Sequence, residues 1–501
     1  MNDDRIEQLI LMSRRRLRAR GPSLSAAARR VLRKLDSLVD VLHETDRLPE
    51  LRAAVTLAKG VRCHVIDSIR GDGPKLIEVI RRDIPAFRAA FPELDLVPVV
   101  HYRPALAPRP AALSVATDSG SVGSLSLRIV DGLTGRPVQN AQVVALTNFA
   151  TREGRNGVSD EDGLALLAFE TMPVRLERLY VYPPLAGYWG LFQSDFVLND
   201  GATLSLQPID LTRADSLRHF FPSAKADTGA GAGVTVGVID GGVGPHADLV
   251  CEGDADNGSG HGTHVAGIIA SRGTAPAGVR GIAPGARIRS YRAFGSAGGL
   301  ASNFSVAKAI DAAVRDGCDI LNMSFILEDG VEDPAVRTAI EDAREGGVLP
   351  VAATGNSFRQ SVGFPARDSL CLAVSALGRR GTFPDESVEA ADVTPPFGLD
   401  SDDYIAAFSN AGLEVDLTAP GAGVVSTVPG GYGVLSGTSM ACPVVSAMAA
   451  RMLARNADVL SMPRRSERST RLAQLVLGAA ASLGFPADLQ GAGIPYEGGD
   501  A

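Results

Sequence analysis

The second half of the sequence predicts an α/β fold: a doubly wound, mostly parallel sheet, preceded by a small β-sandwich and an N-terminal α-helical and α+β region. Three observations carry this prediction. From Val234 onward, short β-branched apolar runs alternate with helical segments of small and apolar residues, as a sheet covered on both faces requires. Between residues 123 and 211 the apolar period is two and turn residues separate the runs. Before residue 49, Leu, Arg and Ala recur at helical spacing.

In chain order, residues 1–48 read as a helical region interrupted at Gly21-Pro22-Ser23, with Ser23 placed to cap a second helix. Residues 49–103 read as strand, helix, strand, an α+β segment. Residues 61–66 form a β-type run, 75–91 an amphipathic helix that Pro85 would kink, and 94–102 a strand that Pro98 confines to an edge. The run Arg103-Pro104-Ala105-Leu106-Ala107-Pro108-Arg109-Pro110, with the Ser and Gly residues after it, reads as a linker over 104–122. Residues 123–211 follow as the sandwich, 226–480 as the α/β domain and 481–501 as a tail. Residues 379–403, loaded with Asp, Glu and Pro, read as a mobile surface loop.

Four segments of the α/β domain carry chemistry. The run Val234-Thr235-Val236-Gly237-Val238-Ile239 is a buried parallel strand that delivers Asp240 at its carboxyl end, where open α/β sheets place their ligands; a turn aspartate is the plain alternative. His261 opens His-Gly-Thr-His-Val-Ala-Gly at the first turn of a buried helix. His264 follows, but a zinc-protease pair would stand at i and i+4 around a glutamate, and no glutamate is there. Ser439, in Gly437-Thr438-Ser439-Met440-Ala441, begins a helix whose free amides favour an oxyanion; a simple helix cap is the alternative. Asn356 ends Ala352-Ala353-Thr354-Gly355-Asn356 after an apolar strand. A serine hydroxyl attacks a carbonyl only if an imidazole takes its proton and a carboxylate orients that imidazole, and the three parts occur in the order Asp, His, Ser.

These segments resemble the subtilisin-like serine proteases, from about Gly233 to about Asn456. The resemblance implies an endopeptidase acting through an acyl-enzyme. Asp240, His261 and Ser439 would be the triad, and Asn356 with the Ser439 amide would bind the oxyanion. His264 would be structural. It further implies that Ser324, Phe325 and Ile326 pair with the substrate backbone, that Gly355 also binds substrate, and that Gly363 belongs to the primary specificity pocket. Gly363 would give that pocket a floor without a side chain and so favour Leu, Phe, Tyr or Met before the cut. Two departures stand out: Ile326 where the family has glycine, and Val444 where it has histidine. The turns Thr134-Gly135-Arg136-Pro137-Val138 and Asp160-Glu161-Asp162-Gly163 resemble those of carboxypeptidase-regulatory-like, transthyretin-like domains. A catalytically idle scaffold of the same fold is the competing function.

At 501 residues the chain is too long for one core, and about two to four domains are expected. A net charge of −8 gives no sign of nucleic-acid binding, and no run is apolar enough to suggest a membrane span. Residues 1–34 nevertheless hold ten Arg or Lys, including Arg14-Arg15-Arg16, so docking on the acidic remainder competes with a solvated helix face. No signal peptide is read at the N-terminus, and Cys63, Cys251, Cys318, Cys371 and Cys442 are odd in number and scattered; together these point to the cytoplasm. No cofactor is required. Calcium at Asp400, Asp402 and Asp403, or in the turn at 160–163, is the alternative to plain solvation. The expected partners are a protein or peptide substrate and, within the chain, an N-terminal region that inhibits by blocking the cleft.

Overall fold

The computed structural model describes residues 5–13, 26–44, 55–56, 62–113, 123–169, 173–222, 227–296, 299–327 and 332–496. The predicted cap at Ser23 and the run at 14–16 lie outside them.

Before residue 105 the described elements are β1 (Ile6–Ser13), α1 (Ala26–Glu44), β2 (Val55–Thr56), β3 (Arg62–Ser68), β4 (Lys75–Ile80), α2 (Ile84–Ala90) and β5 (Leu94–Pro98), which form an N-terminal unit, and β6 (His101–Pro104). The antiparallel sheet runs β2-β3-β4-β1-β5. Two expectations are corrected here. Residues 6–13 are a strand, not a helix: Leu9 and Leu11 face α1 and α2, while Ile10 and Met12 face the α/β domain. A strand buried on both faces loses its alternation, so the apolar run resembled a helix. Residues 75–80 are likewise a strand, with alternating burial, and helix forms only over Ile84–Ala90, where Pro85 is tolerated in the first turn.

The sandwich comprises β7 (Gly123–Asp131), β8 (Gln142–Asn148), β9 (Glu153–Val158), β10 (Leu164–Phe169), β11 (Val174–Tyr182), β12 (Leu191–Leu198) and β13 (Ala202–Leu206). Its sheets, β10-β7-β13 and β12-β11-β8-β9, enclose Leu127, Ile129, Val143, Leu167, Leu179 and Val181. The acidic turn is held by one of its own side chains, since Asp160 Oδ1 accepts from the amides of Asp162 and Leu164 at 3.0 and 2.8 Å.

After the short α3 (Ser216–Phe220) come β14 (Thr235–Asp240), β15 (Cys251–Gly253), α4 (His261–Ala270), β16 (Arg287–Arg292), β17 (Ala301–Ser302), α5 (Asn303–Arg315), β18 (Ile320–Met323), β19 (Phe325–Ile326), α6 (Pro334–Glu345), β20 (Leu349–Ala353), β21 (Leu372–Arg379), β22 (Asp403–Ile405), β23 (Leu417–Pro420), β24 (Val424–Val428), β25 (Gly431–Leu435) and α7 (Thr438–Arg455). The central sheet runs β15-β16-β14-β18-β20-β21 in parallel; β23 joins β21 in parallel and β22 joins it antiparallel. Val236 and Val238 pack with α4 and α7 on one face, Ile239 and Leu321 with α5 and α6 on the other. The sheet is thus doubly wound, and it reverses direction at β14.

Two boundaries move. The expected tail belongs to the domain: Ala480–Ala481 pairs with Ile494–Pro495, and Ile494 is fully buried in the core. Residues 379–403 are packed rather than free. Val388 and Ala391 meet the sandwich face of Val144, Leu146, Tyr180 and Tyr182, and buried Glu389 accepts from Ser436 Oγ at 3.2 Å. Its acidic residues are claimed by Arg379, whose guanidinium reaches Asp400 and Asp403 at 2.8 and 2.7 Å. Asp402 lies 3.8 Å from the same guanidinium, and no group of three or more His, Cys, Asp or Glu suited to a metal occurs among the described residues. No described helix is long and apolar enough to cross a membrane.

Candidate active site

Asp240 ends β14, where the sheet reverses, and is 1% exposed. Its carboxylate accepts the Gly241 amide at 2.7 Å and, through both oxygens, His261 Nδ1 at 2.8 and 2.9 Å. His261 opens α4 behind Gly260, whose backbone is left-handed. With Nδ1 donating, Nε2 keeps its lone pair, and this buried atom has no hydrogen-bond partner.

Ser439 is fully buried in the first turn of α7. Its Oγ donates to the Ser324 carbonyl at 2.8 Å, so the hydroxyl and the imidazole are not hydrogen-bonded to one another here. Asn356 follows β20 and is fixed from one side only: its Oδ1 accepts the Thr438 amide at 2.9 Å, while its buried Nδ2 has no partner. His261 Nε2 is a base without a proton to take and Asn356 Nδ2 a donor without an acceptor, both sealed from water; a hydroxyl would satisfy the first and the oxygen of an attacked carbonyl the second.

The cleft beside them is filled by the chain itself. β6 lies between β17 and β19, antiparallel to both, with Tyr102 opposite Ala301, Arg103 opposite Ile326 and Pro104 opposite Phe325. Beyond it the Ala105 amide donates to the Ser324 carbonyl at 3.1 Å, and the Ala107 amide to Ser436 at 2.8 Å. Between these contacts the Ser439 amide donates to the Ala105 carbonyl oxygen at 3.0 Å. The chain passes so close that a Cβ at Gly437, where φ is +150°, would stand 2.5 Å from that oxygen. The expected free linker is therefore a bound strand as far as residue 107. Its prolines signalled a linker, yet Pro104 sits where the pairing asks no amide of it.

The N-terminal unit clamps onto the helices behind this cleft. Arg70 forms a two-pronged pair with Asp311 of α5, Nε to Oδ2 at 3.0 Å and Nη2 to Oδ1 at 2.5 Å, and Lys308 meets Asp67 at 2.8 Å. Asn303 at the start of α5 donates to the Pro98 carbonyl at 3.1 Å and accepts the Val100 amide at 3.3 Å. Sequence reasoning missed Ala301, Ser302 and Ala105 as parts of the cleft.

Ile326 corrects the expected pocket. Its side chain is 1% exposed and turns inward, so a carbon added at Gly355 or Gly363 would collide with its Cδ1. Ile326 Cδ1 thus lies against both Gly355 and the Gly363 floor expected for Leu, Phe, Tyr or Met. Ala105, held between Ser324 and the Ser439 amide, is small and 1% exposed. Val444, the second departure, packs into the core through α7.

His264 ties α4 to the β24–β25 hairpin: its Nε2 donates to the Val424 carbonyl at 3.0 Å, and its Nδ1 is buried without a partner. Burial, reinforced by the nearby His261, pushes its pKa from 6.5 down to about 3. The unfolded chain takes up a proton below pH 6.5 that the folded chain refuses. Stability is therefore full above 6.5 and falls as pH drops toward 3, with a slope approaching about 1.4 kcal/mol per pH unit. Urea midpoints measured across this window should decline, and His264→Gln should flatten the decline; an unchanged slope would remove His264 from the account. Burial also pushes the Cys442 thiol up to about 12, leaving it an inert packing residue despite its position next to the site.

The α/β domain is similar to known proteins. Residues 231–494 match the peptidase S8, or subtilase, family model. Over 307 residues the chain is 33% identical to alkaline elastase YaB of Bacillus sp. (strain YaB), covering 59% of this chain and 71% of the relative. It is 36% identical over 238 residues, 45% of its length, to subtilisin Savinase of Lederbergia lenta and to M-protease of Shouchella clausii (strain KSM-K16), covering 78% and 55% of those chains. Fold and relatives define a serine-type endopeptidase. More particularly, the chain belongs to the subtilase family.

Proposed function

We propose that Ser439 is the nucleophile, His261 the general base and acid, Asp240 the group that orients His261, and that Asn356 Nδ2 and the Ser439 amide bind the oxyanion. The observation that carries this reading is the Ala105 carbonyl oxygen on the Ser439 amide, inside a strand paired on both sides. On rotating away from Ser324, the Ser439 hydroxyl gives its proton to His261 Nε2 and attacks that carbonyl carbon. The bond to Leu106 breaks, and His261 returns the proton to the departing Leu106 nitrogen. Water, deprotonated by His261, then attacks the acyl carbon, and His261 returns that proton to the Ser439 oxygen as the acyl group is released as the acid. The same steps serve protein or peptide substrates in trans.

In the uncut chain residues 101–107 occupy the cleft, so the N-terminal unit acts as an intramolecular inhibitor. Cutting between Ala105 and Leu106 would sever the inhibitor and leave the sandwich attached. Mass spectrometry of the purified protein tests the register: a new N-terminus at Leu106 is expected, and cutting elsewhere in 95–115 would show the strand to be misread. Small residues before the cut follow from Ile326. Ile326→Gly should raise kcat/KM for Phe relative to Ala at that position by roughly 10 to 200-fold, the range one apolar pocket contact commands. An unchanged ratio would mean that Ile326 does not set the pocket.

A further inference from the structure

The strand in the cleft carries one side chain that the catalytic steps do not use. Tyr102 is the fourth residue back from the bond at Ala105, and it is fully buried. Its ring meets Phe325 edge-on at 5.4 Å and Phe364 at 6.5 Å. An aromatic ring between two others would satisfy an apolar pocket, but the far end of this pocket is polar. Asp333, 1% exposed, accepts the Tyr102 hydroxyl through Oδ2 at 2.6 Å.

The division of labour within Asp333 makes this contact selective. It is the N-cap of α6, and its Oδ1 accepts the Ala335 and Val336 amides at 3.0 and 3.3 Å and Asn303 Nδ2 at 3.3 Å. Oδ1 is thus committed to the fold, and Oδ2 faces the pocket. With its tyrosine exchanged for phenylalanine, Oδ2 would be a buried carboxylate oxygen facing a ring edge. A site built to bond a substrate hydroxyl rejects the analogue lacking it far more strongly than an apolar pocket rejects a change of size, because its own polar group is left unpaired.

We infer that Asp333 makes the fourth subsite before the cut a reader of phenol, so that this protease selects tyrosine over phenylalanine four residues ahead of the scissile bond. The inference rests on the register proposed above, with Ala105 immediately before the cut. It assigns to Asp333 a specificity role in addition to its role in capping α6.

Two fluorogenic peptide amides, acetyl-Tyr-Arg-Pro-Ala and acetyl-Phe-Arg-Pro-Ala, test it on the full-length chain. The ratio of their kcat/KM values does not depend on what fraction of the enzyme has an empty cleft. A preference for tyrosine on the order of a hundredfold is expected. Asp333→Ser, which keeps a capping oxygen on a side chain too short to reach the phenol, should bring the ratio close to one. A ratio near one in the unaltered chain, or one that Asp333→Ser leaves unchanged, overturns the inference while the catalytic reading stands. A turnover-free measurement complements this. Tyr102→Phe and Asp333→Ser should each speed fluorophosphonate labelling of Ser439 in the uncut chain, and the double variant no more than either alone. Labelling speeds equal to that of the unaltered chain overturn the pairing. If neither peptide is cut and no variant is labelled, the catalytic reading falls and the inference with it.

Discussion

Ser439→Ala is expected to lower peptide hydrolysis by roughly 10⁶-fold, to abolish fluorophosphonate labelling and to leave the Ala105–Leu106 bond intact. The reason is the division of roles in the site. Asp240 and His261 form a buried pair whose remaining nitrogen can only accept a proton, and without the Ser439 hydroxyl that nitrogen has nothing to activate. The variant should fold: the backbone amide that holds the Ala105 carbonyl survives, and the hydroxyl's one hydrogen bond, to Ser324, is replaceable by an alanine methyl at a cost of about 1 kcal/mol. Unchanged thermal unfolding together with lost activity is the expected pair of results. Residual cutting at Leu106 would mean that another nucleophile, or a contaminating protease, severs the chain.

Asn356→Ala should cost about 10²- to 10³-fold in kcat with little change in KM. Its Nδ2 is a buried donor with no acceptor in the resting enzyme, so the stabilisation it offers is drawn upon only when negative charge develops on the attacked carbonyl oxygen. A ground-state role would raise KM instead. The substitution also removes the acceptor for the Thr438 amide, so a chain altered at Asn356 needs its folding checked by the same unfolding measurement. Asn356→Asp separates the two functions, since it keeps the acceptor and removes the donor; it should be as slow as Asn356→Ala and more stable. Recovery of activity in the aspartate variant would exclude Asn356 from oxyanion binding.

Much of the site was legible because local rules place it. A parallel strand buried on both faces announces itself as an unbroken β-branched run, and its carboxyl end is where Asp240 stands. His261 and Ser439 each open a helix of small and apolar residues, and Asn356 follows β20. What misled was also local. Residues 6–13 lack alternation because both faces are covered, and residues 75–80 were merged with the helix after them. The acidic stretch at 379–403 looked solvated because neither the return of Asp400 and Asp403 onto Arg379 nor the sandwich against Val388 is implied by its own composition.

The sequence alone determined the family, the doubly wound sheet and the residue types that could perform acyl transfer, because those follow from periodicity and from a few short motifs whose chemistry is fixed. Only the tertiary structure decided what those residues face. The pairing of residues 101–104 with strands about two hundred positions later closes the cleft on the chain's own backbone, and no local pattern encodes a contact of that separation. The inward turn of Ile326 over Gly355 and Gly363, and the approach of Tyr102 to Asp333, are likewise packing outcomes. A side chain's direction is set by the space its neighbours leave, and those neighbours are assembled only when the sheet, its helices and the N-terminal unit come together.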